Sequence, residues 1–172
     1  GRDHERDLLS EALRLTEEGQ QTTVHVQGRS GMGKSSLLRR FLQDVERMSG
    51  TFVLEGRCHL NESVPFKALD GVIDGLSRLL VATHPNAVAA YVPKQVSFLL
   101  RLFPVLARVD ALAAAAESLP DGVDPNEIRR RGIEGLRELL VKIARRSTLV
   151  LWIDDLQWGD LDGASALAEL LR

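Results

Sequence analysis

The sequence has little cysteine, no net basic charge and no long apolar runs, and each absence narrows the classes of protein that it can encode. A single cysteine, Cys58, excludes an intrachain disulfide and fits a reducing compartment. No stretch is long and apolar enough to cross a bilayer, and the polar, charged first residues do not resemble a signal peptide. The net charge of −2 supplies no general basic field for nucleic acid. We therefore expect a cytoplasmic protein without direct membrane or nucleic-acid binding.

Histidine and cysteine are also too few and too scattered to form a zinc site. The histidines show no ligand spacing, and the adjacent pair Cys58-His59 is too small to hold zinc. The hydrophobic fraction of 44% is ordinary for a globular protein, and 172 residues fit a single domain. The chain begins with Gly1 rather than methionine and ends within a predicted helix, so we expect it to be part of a longer protein.

One stretch matches the phosphate-binding pattern G-x-x-x-x-G-K-[ST] at every fixed position: Gly28-Arg29-Ser30-Gly31-Met32-Gly33-Lys34-Ser35. Its glycines permit unusual dihedral angles and let backbone N–H groups approach phosphate oxygens. Lys34 can reach the β- and γ-phosphates, the Ser35 hydroxyl can bind Mg²⁺, and the following helix adds its N-terminal dipole. We predict that this stretch, extended by Ser36, lines a nucleotide-binding site.

The sequence on both sides of this stretch decides between a phosphate loop and an ordinary glycine-rich turn with a chance lysine. Residues 22–27 are rich in β-branched side chains and predict a short strand. After the loop, apolar residues recur at helical spacing: Leu37, Leu38, Phe41, Leu42 and Val45. Strand, loop and helix in this order are the context that the motif requires, so we predict a phosphate loop.

A continuous apolar run, residues 148–153, ends in the acidic pair Asp154-Asp155. Such runs are typical of a parallel strand that is buried on both faces. At the carboxyl edge of a sheet beside a phosphate loop, Asp154 would hold Mg²⁺, directly or through water. Asp155 would orient or polarise the attacking water, with help from Gln157, although many enzymes of this type use glutamate there. The alternative is that the pair only caps a strand-to-loop turn.

The segments between these motifs are predicted to be mainly helical. A helix precedes the first strand, and residues 51–56 form a second strand. Residues 61–147 then form a helical insertion, which Pro93 and Pro104 should divide into several short helices.

The last helix of this insertion has a strong start signal. Asp124 can cap it, Pro125 occupies its first position, and Glu127 can complete a capping box. Three arginines near that start predict either a solvated face or contact with a partner domain or phosphate: Arg129, Arg130 and Arg131.

Three stretches together resemble the AAA ATPase modules of the STAND and AAA-like class in bacterial regulators. The opening residues, GRDHERDLL, are similar to the N-terminal signature of these modules. Residues 151–160, LWIDDLQWGD, closely resemble their Walker B block. Residues 55–58 and 63–70 resemble the version fused to bacterial serine/threonine protein kinases, which helical TPR-type repeats often follow. The resemblance covers nearly the whole chain, and its phosphate-loop and Walker B motifs are specific for nucleotide binding.

The resemblance implies Mg-ATP as the ligand, and the lack of a guanine-reading Asn-Lys-x-Asp motif agrees with ATP rather than GTP. In relatives the segment matching Gly1 and Arg2 lies near the adenine, so both are implied nucleotide contacts. The implied fold is an α/β, three-layer αβα P-loop NTPase of the ASCE type with about three parallel strands. Residues 1–60 would carry the first helix, phosphate loop and second strand, 61–147 the insertion, and 148–172 the Walker B strand and following helix.

The resemblance also implies that the sheet of this chain is incomplete. In the family a later strand lies between the phosphate-loop strand and the Walker B strand, and a sensor residue and helical lid follow it. None of these would lie before Arg172, so we expect an open slot or altered strand pairing and a marginally stable domain. The implied partners are flanking kinase and helical-repeat domains and a homo-oligomer on activation, in which a partner subunit would supply an arginine finger.

The sequence is compatible with three functions. The first is Mg-ATP binding and hydrolysis as a regulatory switch, in which Lys34 stabilises phosphate charge and Asp155 activates water. The second is a nucleotide-binding scaffold with little or no hydrolysis, whose working surface is the helical insertion. The third is a P-loop phosphotransferase, which the acidic pair and the lack of identifiable lid arginines disfavour. Phosphate release by the wild type and by Asp155→Asn separates the first from the second.

Overall fold

The computed structural model describes residues 2–58 and 66–171, apart from the side chain of residue 67. The chain divides into two compact units: Gly1–Val53 with Arg145–Val150, and Leu54–Ala144 with Leu151–Arg172. Among the described residues, no helix combines the length and the apolar character needed to span a bilayer.

The first unit holds two helices, α1 (Asp3–Glu17) and α2 (Lys34–Val45), which pack against each other. The buried apolar side chains of these helices include Leu9, Leu42 and Val45. An exposed ion pair, Arg6 with Asp44 at 3.6 Å, adds a second contact between the helices. Because exposed ion pairs contribute little, the buried side chains provide most of the stability of this helix pair.

Two strands, β1 (Thr51–Arg57) and β2 (Thr148–Asp154), pair in parallel. The first N–H of β2 donates to the Gly50 carbonyl at 2.9 Å, so the two strands start side by side. The Cys58 N–H donates to the last carbonyl of β2 at 3.1 Å, so they also end side by side. The residues that follow the two strands are therefore neighbours in space.

The strand predicted before the phosphate loop does not form, so that prediction is wrong. Residues 22–27 have no regular secondary structure and are largely exposed, with Val24 47% accessible. The physical reason is that a β-strand exists through hydrogen bonds to a neighbouring strand, and β-propensity alone does not supply them. Within the described part of the chain β1 pairs with β2, and the sheet has two strands instead of about three.

Strand β2 is also less buried than its apolar sequence predicts. Trp152 is buried, whereas the other residues of the strand are half-buried. Burial on both faces requires other elements over both faces of a sheet, and the half-burial along β2 shows that this two-stranded sheet is covered only partly. The prediction of a strand buried on both faces is therefore wrong, although β2 forms where the sequence places it.

The second unit is mainly helical: α3 (Lys67–Ala82), α4 (Pro85–Tyr91), α5 (Val96–Leu102), α6 (Asp110–Ala115), α7 (Pro125–Ala144) and α8 (Leu161–Leu170). Two 3₁₀ turns, Pro104–Arg108 and Leu156–Trp158, precede α6 and α8. The predicted division into short helices around Pro93 and Pro104 is confirmed, because proline cannot donate a helical hydrogen bond and clashes with the preceding turn. Part of the predicted insertion, residues 61–65, lies outside the described residues.

Close backbone packing organises the core of this unit. Helix α7 approaches α5 so closely that a Cβ atom on Gly132 would lie 2.8 Å from Leu102 Cβ. Helix α3 approaches β1 in the same way at Gly71 and Glu55. The largest fully buried side chains of the unit are aliphatic: Leu69, Ile73, Leu76, Leu80, Leu99, Leu106, Leu112, Ile133, Leu136, Leu139 and Ile143. Burial of each contributes about 1.5 to 3 kcal/mol relative to exposure.

Helix α7 begins where the sequence predicts. Pro125 is its first residue, and the Asp124 carboxylate accepts a hydrogen bond from the Asn126 N–H at 3.0 Å. The Glu127 carboxylate pairs with Arg131, one turn along the helix, at 2.8 Å. The helix start is therefore fixed by its own local sequence.

Candidate functional site

The predicted phosphate loop lies in the first unit and leads directly into α2. Gly31 and Gly33 have φ angles of 80° and 76°, a left-handed conformation that glycine adopts freely and other residues disfavour. Gly33 immediately precedes α2, and the Leu37 N–H donates to its carbonyl at 3.0 Å. The glycines therefore turn the chain sharply into a helix N-terminus, which is the local geometry that phosphate binding requires.

Lys34, the first residue of α2, folds its side chain back over the loop. Its Nζ donates to the carbonyl oxygens of Gly28 at 2.8 Å and Arg29 at 3.1 Å. A Cβ atom on Gly28 would lie 3.6 Å from Lys34 Cδ, so the aliphatic part of the lysine also follows the loop backbone. The ammonium charge lies beside the backbone that a phosphate group would approach.

The other predicted contacts of the loop surround this lysine. Ser35 is half-buried in the first turn of α2, and Ser36 beside it is exposed. Three loop residues are exposed to solvent: Arg29, Ser30 and Met32. The first N–H groups of a helix have no carbonyl partner within it, so such a turn offers donors and a positive dipole end to an anion.

Arg2, beside the start of α1, makes a hydrogen bond to the phosphate loop. Its guanidinium donates to the Met32 carbonyl through Nη2. A Cβ atom on Gly33 would lie 3.7 Å from the same nitrogen, so the arginine covers the last turn of the loop. The contact of Arg2 with adenine stays a prediction, and Gly1 lies outside the described residues.

The predicted metal-binding aspartate ends β2. The carbonyl of Asp154 accepts from the Cys58 N–H at 3.1 Å, and its Oδ1 accepts from the Asp155 N–H at 3.1 Å. These two bonds fix the half-buried Asp154 at the carboxyl edge of the sheet. A carboxylate held in this way is the type of ligand that Mg²⁺ prefers.

Asp155, predicted to orient water, is held by two neighbours. Arg57 donates to its Oδ2 through Nε at 3.2 Å and Nη2 at 3.0 Å, and Gln157 donates to its Oδ1 through Nε2 at 3.2 Å. The backbone of Asp155 is left-handed, with φ 55° and ψ 36°, a conformation that aspartate tolerates better than most residues. The side chain is 32% exposed, so solvent reaches it.

Arg57 joins these residues although it lies outside the phosphate-loop and Walker B motifs of the sequence. It is the last residue of β1, and its side chain lies beside Asp155 because the two strands are parallel and end together. Its position alone could have indicated it, because Arg57 is a charged residue at the end of the second predicted strand. The carboxyl ends of neighbouring parallel strands meet at one edge of a sheet.

The three arginines at the start of α7 contact their own chain. Each guanidinium pairs with a carboxylate: Arg129 with Asp162 at 2.6 Å, Arg130 with Glu134 at 2.7 Å and Arg131 with Glu127 at 2.8 Å. Arg129 also lies over the Phe66 ring, and Arg131 over the Phe98 ring, at 5.3 and 4.8 Å from the centroids. The charges of the cluster are therefore engaged within the second unit, with Arg130 exposed and Arg129 and Arg131 half-buried.

The loop after β2 is fixed to the start of α3 by Asp160. Its Oδ1 accepts from the Gly163 N–H at 2.6 Å, which caps α8, and from the Phe66 N–H at 3.4 Å. Nearby, burial raises the pKa of the Cys58 thiol, and the negative charges of Asp160 and Asp155 raise it further. Because the thiolate is the reactive form, the raised pKa disfavours reaction of Cys58 at neutral pH.

The two predicted halves of the site belong to different units, the phosphate loop to the first and the acidic pair to the second. In the part of the chain that the structure describes, no three or more His, Cys, Asp and Glu side chains form a metal-binding group. Mg²⁺ beside a nucleotide is usually held by one or two carboxylates together with phosphates and water. The loop of the first unit, with its turned backbone and ammonium group, has the chemistry that suits a phosphate group, and the carboxylate of the second unit, fixed at a strand end, has the chemistry that suits Mg²⁺.

Comparison with known proteins agrees with this chemistry. The profile of the family described as AAA ATPase domain matches residues 1–172, the whole of the chain. No curated protein and no solved structure matches the chain significantly. The family match supports nucleotide binding and ATPase activity in general terms.

Proposed function

Because the chain belongs to the AAA ATPase domain family, we propose that residues 1–172 form one P-loop domain that binds and hydrolyses Mg-ATP. The observation that carries the proposal is the position of Lys34 Nζ, 2.8 Å from the Gly28 carbonyl, in a loop that turns through left-handed glycines into α2. Phosphate oxygens carry more negative charge than carbonyl oxygens, so the ammonium group favours a phosphate over its present carbonyl partners.

Each residue of the proposed site has a separate role. Lys34 neutralises charge on the β- and γ-phosphates, and the loop N–H groups hold phosphate oxygens. Ser35 and Asp154 would hold Mg²⁺, which when bound neutralises further phosphate charge. Asp155 orients the attacking water and accepts its proton.

We further propose that hydrolysis acts as a regulatory switch in a multidomain protein. The support is the resemblance of residues 55–70 to modules fused to serine/threonine kinases and helical repeats. Loss of the γ-phosphate removes the contacts that hold nearby loops, and this changes how such a module meets its neighbours or a second copy of itself. The complete three-layer sheet would then require a strand in addition to β1 and β2.

Calorimetric titration of the 172-residue chain with ATP and Mg²⁺ tests the binding step. We expect the wild type to bind and Lys34→Ala to lose about tenfold or more in affinity, because a hydrogen bond between charged groups is removed. Lys94→Ala is the matched control, since it removes an exposed lysine from the second unit. Equal binding by Lys34→Ala and the wild type, or no binding by the wild type, contradicts the proposal.

A nucleotide-binding scaffold with little hydrolysis is the second candidate, and the contacts of Asp155 favour it. Both of its carboxylate oxygens accept hydrogen bonds from side chains, so water must share them. Aspartate is also one methylene shorter than the glutamate that many such enzymes use, which favours slow turnover. Tight ATP binding by the wild type without steady-state phosphate release would identify the scaffold.

A further inference from the structure

Arg57 and Gln157 hold the two oxygens of Asp155 in different ways. Arg57 donates to Oδ2 twice, through Nε at 3.2 Å and Nη2 at 3.0 Å. Gln157 donates to Oδ1 once, through Nε2 at 3.2 Å. An ionised carboxylate has about four acceptor sites, two on each oxygen. The guanidinium therefore fills Oδ2, and Oδ1 retains capacity for one further donor.

The position of Arg57 is fixed by the backbone on both sides of it. The next N–H along the chain donates to the Asp154 carbonyl at 3.1 Å. The preceding residue, Gly56, lies so close to α3 that a Cβ atom there would overlap the Ala68 carbonyl oxygen. Because the strand end cannot shift easily, the backbone of Arg57 stays where its guanidinium reaches the Asp155 carboxylate.

The backbone of Asp155 has a conformation that needs support. Its left-handed φ of 55° and ψ of 36° are unusual for a residue with a side chain. Such conformations persist where the surroundings hold them, and they cluster at functional sites. The paired donors of Arg57 supply that restraint, since they bind the side chain of the same residue.

We propose that Arg57 is a positioning residue for ATP hydrolysis: it binds Oδ2 of Asp155 and so directs Oδ1, together with Gln157, to the attacking water. This inference rests on the proposed ATPase function. In that step the water oxygen bonds to the γ-phosphorus, the bond from this phosphorus to the β–γ bridging oxygen breaks, and ADP leaves with the bond electrons. The water proton passes to the Asp155 carboxylate. Arg57 acts through Asp155 and contacts neither reactant.

Steady-state phosphate release tests this role through kcat and KM separately. Arg57→Ala should lower kcat about tenfold to a hundredfold and leave the KM for ATP within about twofold, because a misplaced group slows the chemical step without weakening binding. Arg57→Lys keeps the positive charge but loses the paired guanidinium donors. Its kcat should therefore lie between that of the wild type and that of Arg57→Ala. Arg130→Ala is the matched control, since Arg130 is similarly exposed (58% against 56%) and pairs with Glu134 at 2.7 Å.

A double variant separates positioning from general destabilisation. If Arg57 acts through Asp155, Arg57→Ala adds little further loss of kcat to Asp155→Asn, whereas a purely structural role lowers kcat again. A folded Arg57→Ala with the wild-type kcat or a higher one overturns the inference and leaves the ATPase proposal standing. A wild type that binds ATP without releasing phosphate overturns both. If circular dichroism shows that Arg57→Ala is unfolded, Arg57→Lys and Arg57→Gln provide the same comparison.

Discussion

Gly71 of α3 and Glu55 of β1 meet backbone to backbone: a Cβ atom on Gly71 would lie 2.7 Å from the Glu55 carbonyl oxygen. This approach places α3 directly on the strand that ends in Arg57. The geometry of the acidic strand end therefore depends on a contact that only glycine allows at this position of α3.

Gly71→Ala should destabilise the second unit by about 1 to 3 kcal/mol, because overpacking forces a backbone shift that outweighs the gain in helix propensity. Urea unfolding followed by tryptophan fluorescence measures this, since Trp152 and Trp158 both belong to that unit. Gly75→Ala, one turn along α3, is the control: its Cβ atom would meet the flexible end of Leu54 at 3.3 Å. Equal stability of the two variants would contradict the packing argument.

Arg2→Ala should weaken ATP binding about threefold to tenfold, because the phosphate loop loses the guanidinium that holds the Met32 carbonyl. Calorimetry with inorganic triphosphate separates this role from adenine recognition. If Arg2 orders the loop, affinity for triphosphate falls by the same factor as affinity for ATP. Unchanged triphosphate binding with weaker ATP binding would assign Arg2 to the adenine. Arg6→Ala, which removes an exposed ion pair from α1, should change neither affinity.

Arg129→Ala should cost about 1 kcal/mol of unfolding free energy, since it removes both the 2.6 Å pair with Asp162 and the contact with the Phe66 ring. Arg130→Ala removes a pair within α7 alone and should change stability by less than about 0.5 kcal/mol. Denaturant unfolding of both variants measures these losses. An equal loss of unfolding free energy in the two variants would show that the contact of Arg129 between α7 and α8 adds no stability.

Cys58 should resist alkylation in the native protein at pH 7 to 8. Its side chain is 1% exposed, and the raised pKa of the thiol keeps the reactive thiolate scarce at these pH values. Mass spectrometry after iodoacetamide treatment should show modification in urea but little in buffer. Rapid modification of the native chain would show that the loop around Cys58 opens readily.

Local patterns in the sequence predict the local parts of the site. The phosphate loop follows from residues 28–35, because glycine dihedral angles and the reach of Lys34 depend on adjacent residues. The start of α7 follows in the same way from Asp124 and Pro125. These features need no information about distant parts of the chain.

Features that depend on partners distant in sequence are predicted poorly. Residues 22–27 have the composition of a strand, yet strand formation requires a neighbour that composition does not specify. The contact between Arg57 and Asp155 depends on the register of β1 against β2, which only the fold reveals. The half-burial of β2 also depends on distant parts of the chain, because these decide how much of the sheet is covered.

Steady-state phosphate release with Mg-ATP, compared between the wild type and Asp155→Asn, is the most direct test of ATP hydrolysis by this chain. Asparagine tolerates the left-handed backbone and keeps the shape of the side chain, but it removes the charge and replaces one accepting oxygen by an NH₂ donor. We predict measurable release of phosphate by the wild type and a loss of about a hundredfold or more in the variant, with ATP affinity retained. Equal release by both proteins would contradict the role of Asp155, and no release by a wild type that binds ATP would identify a scaffold instead of an ATPase.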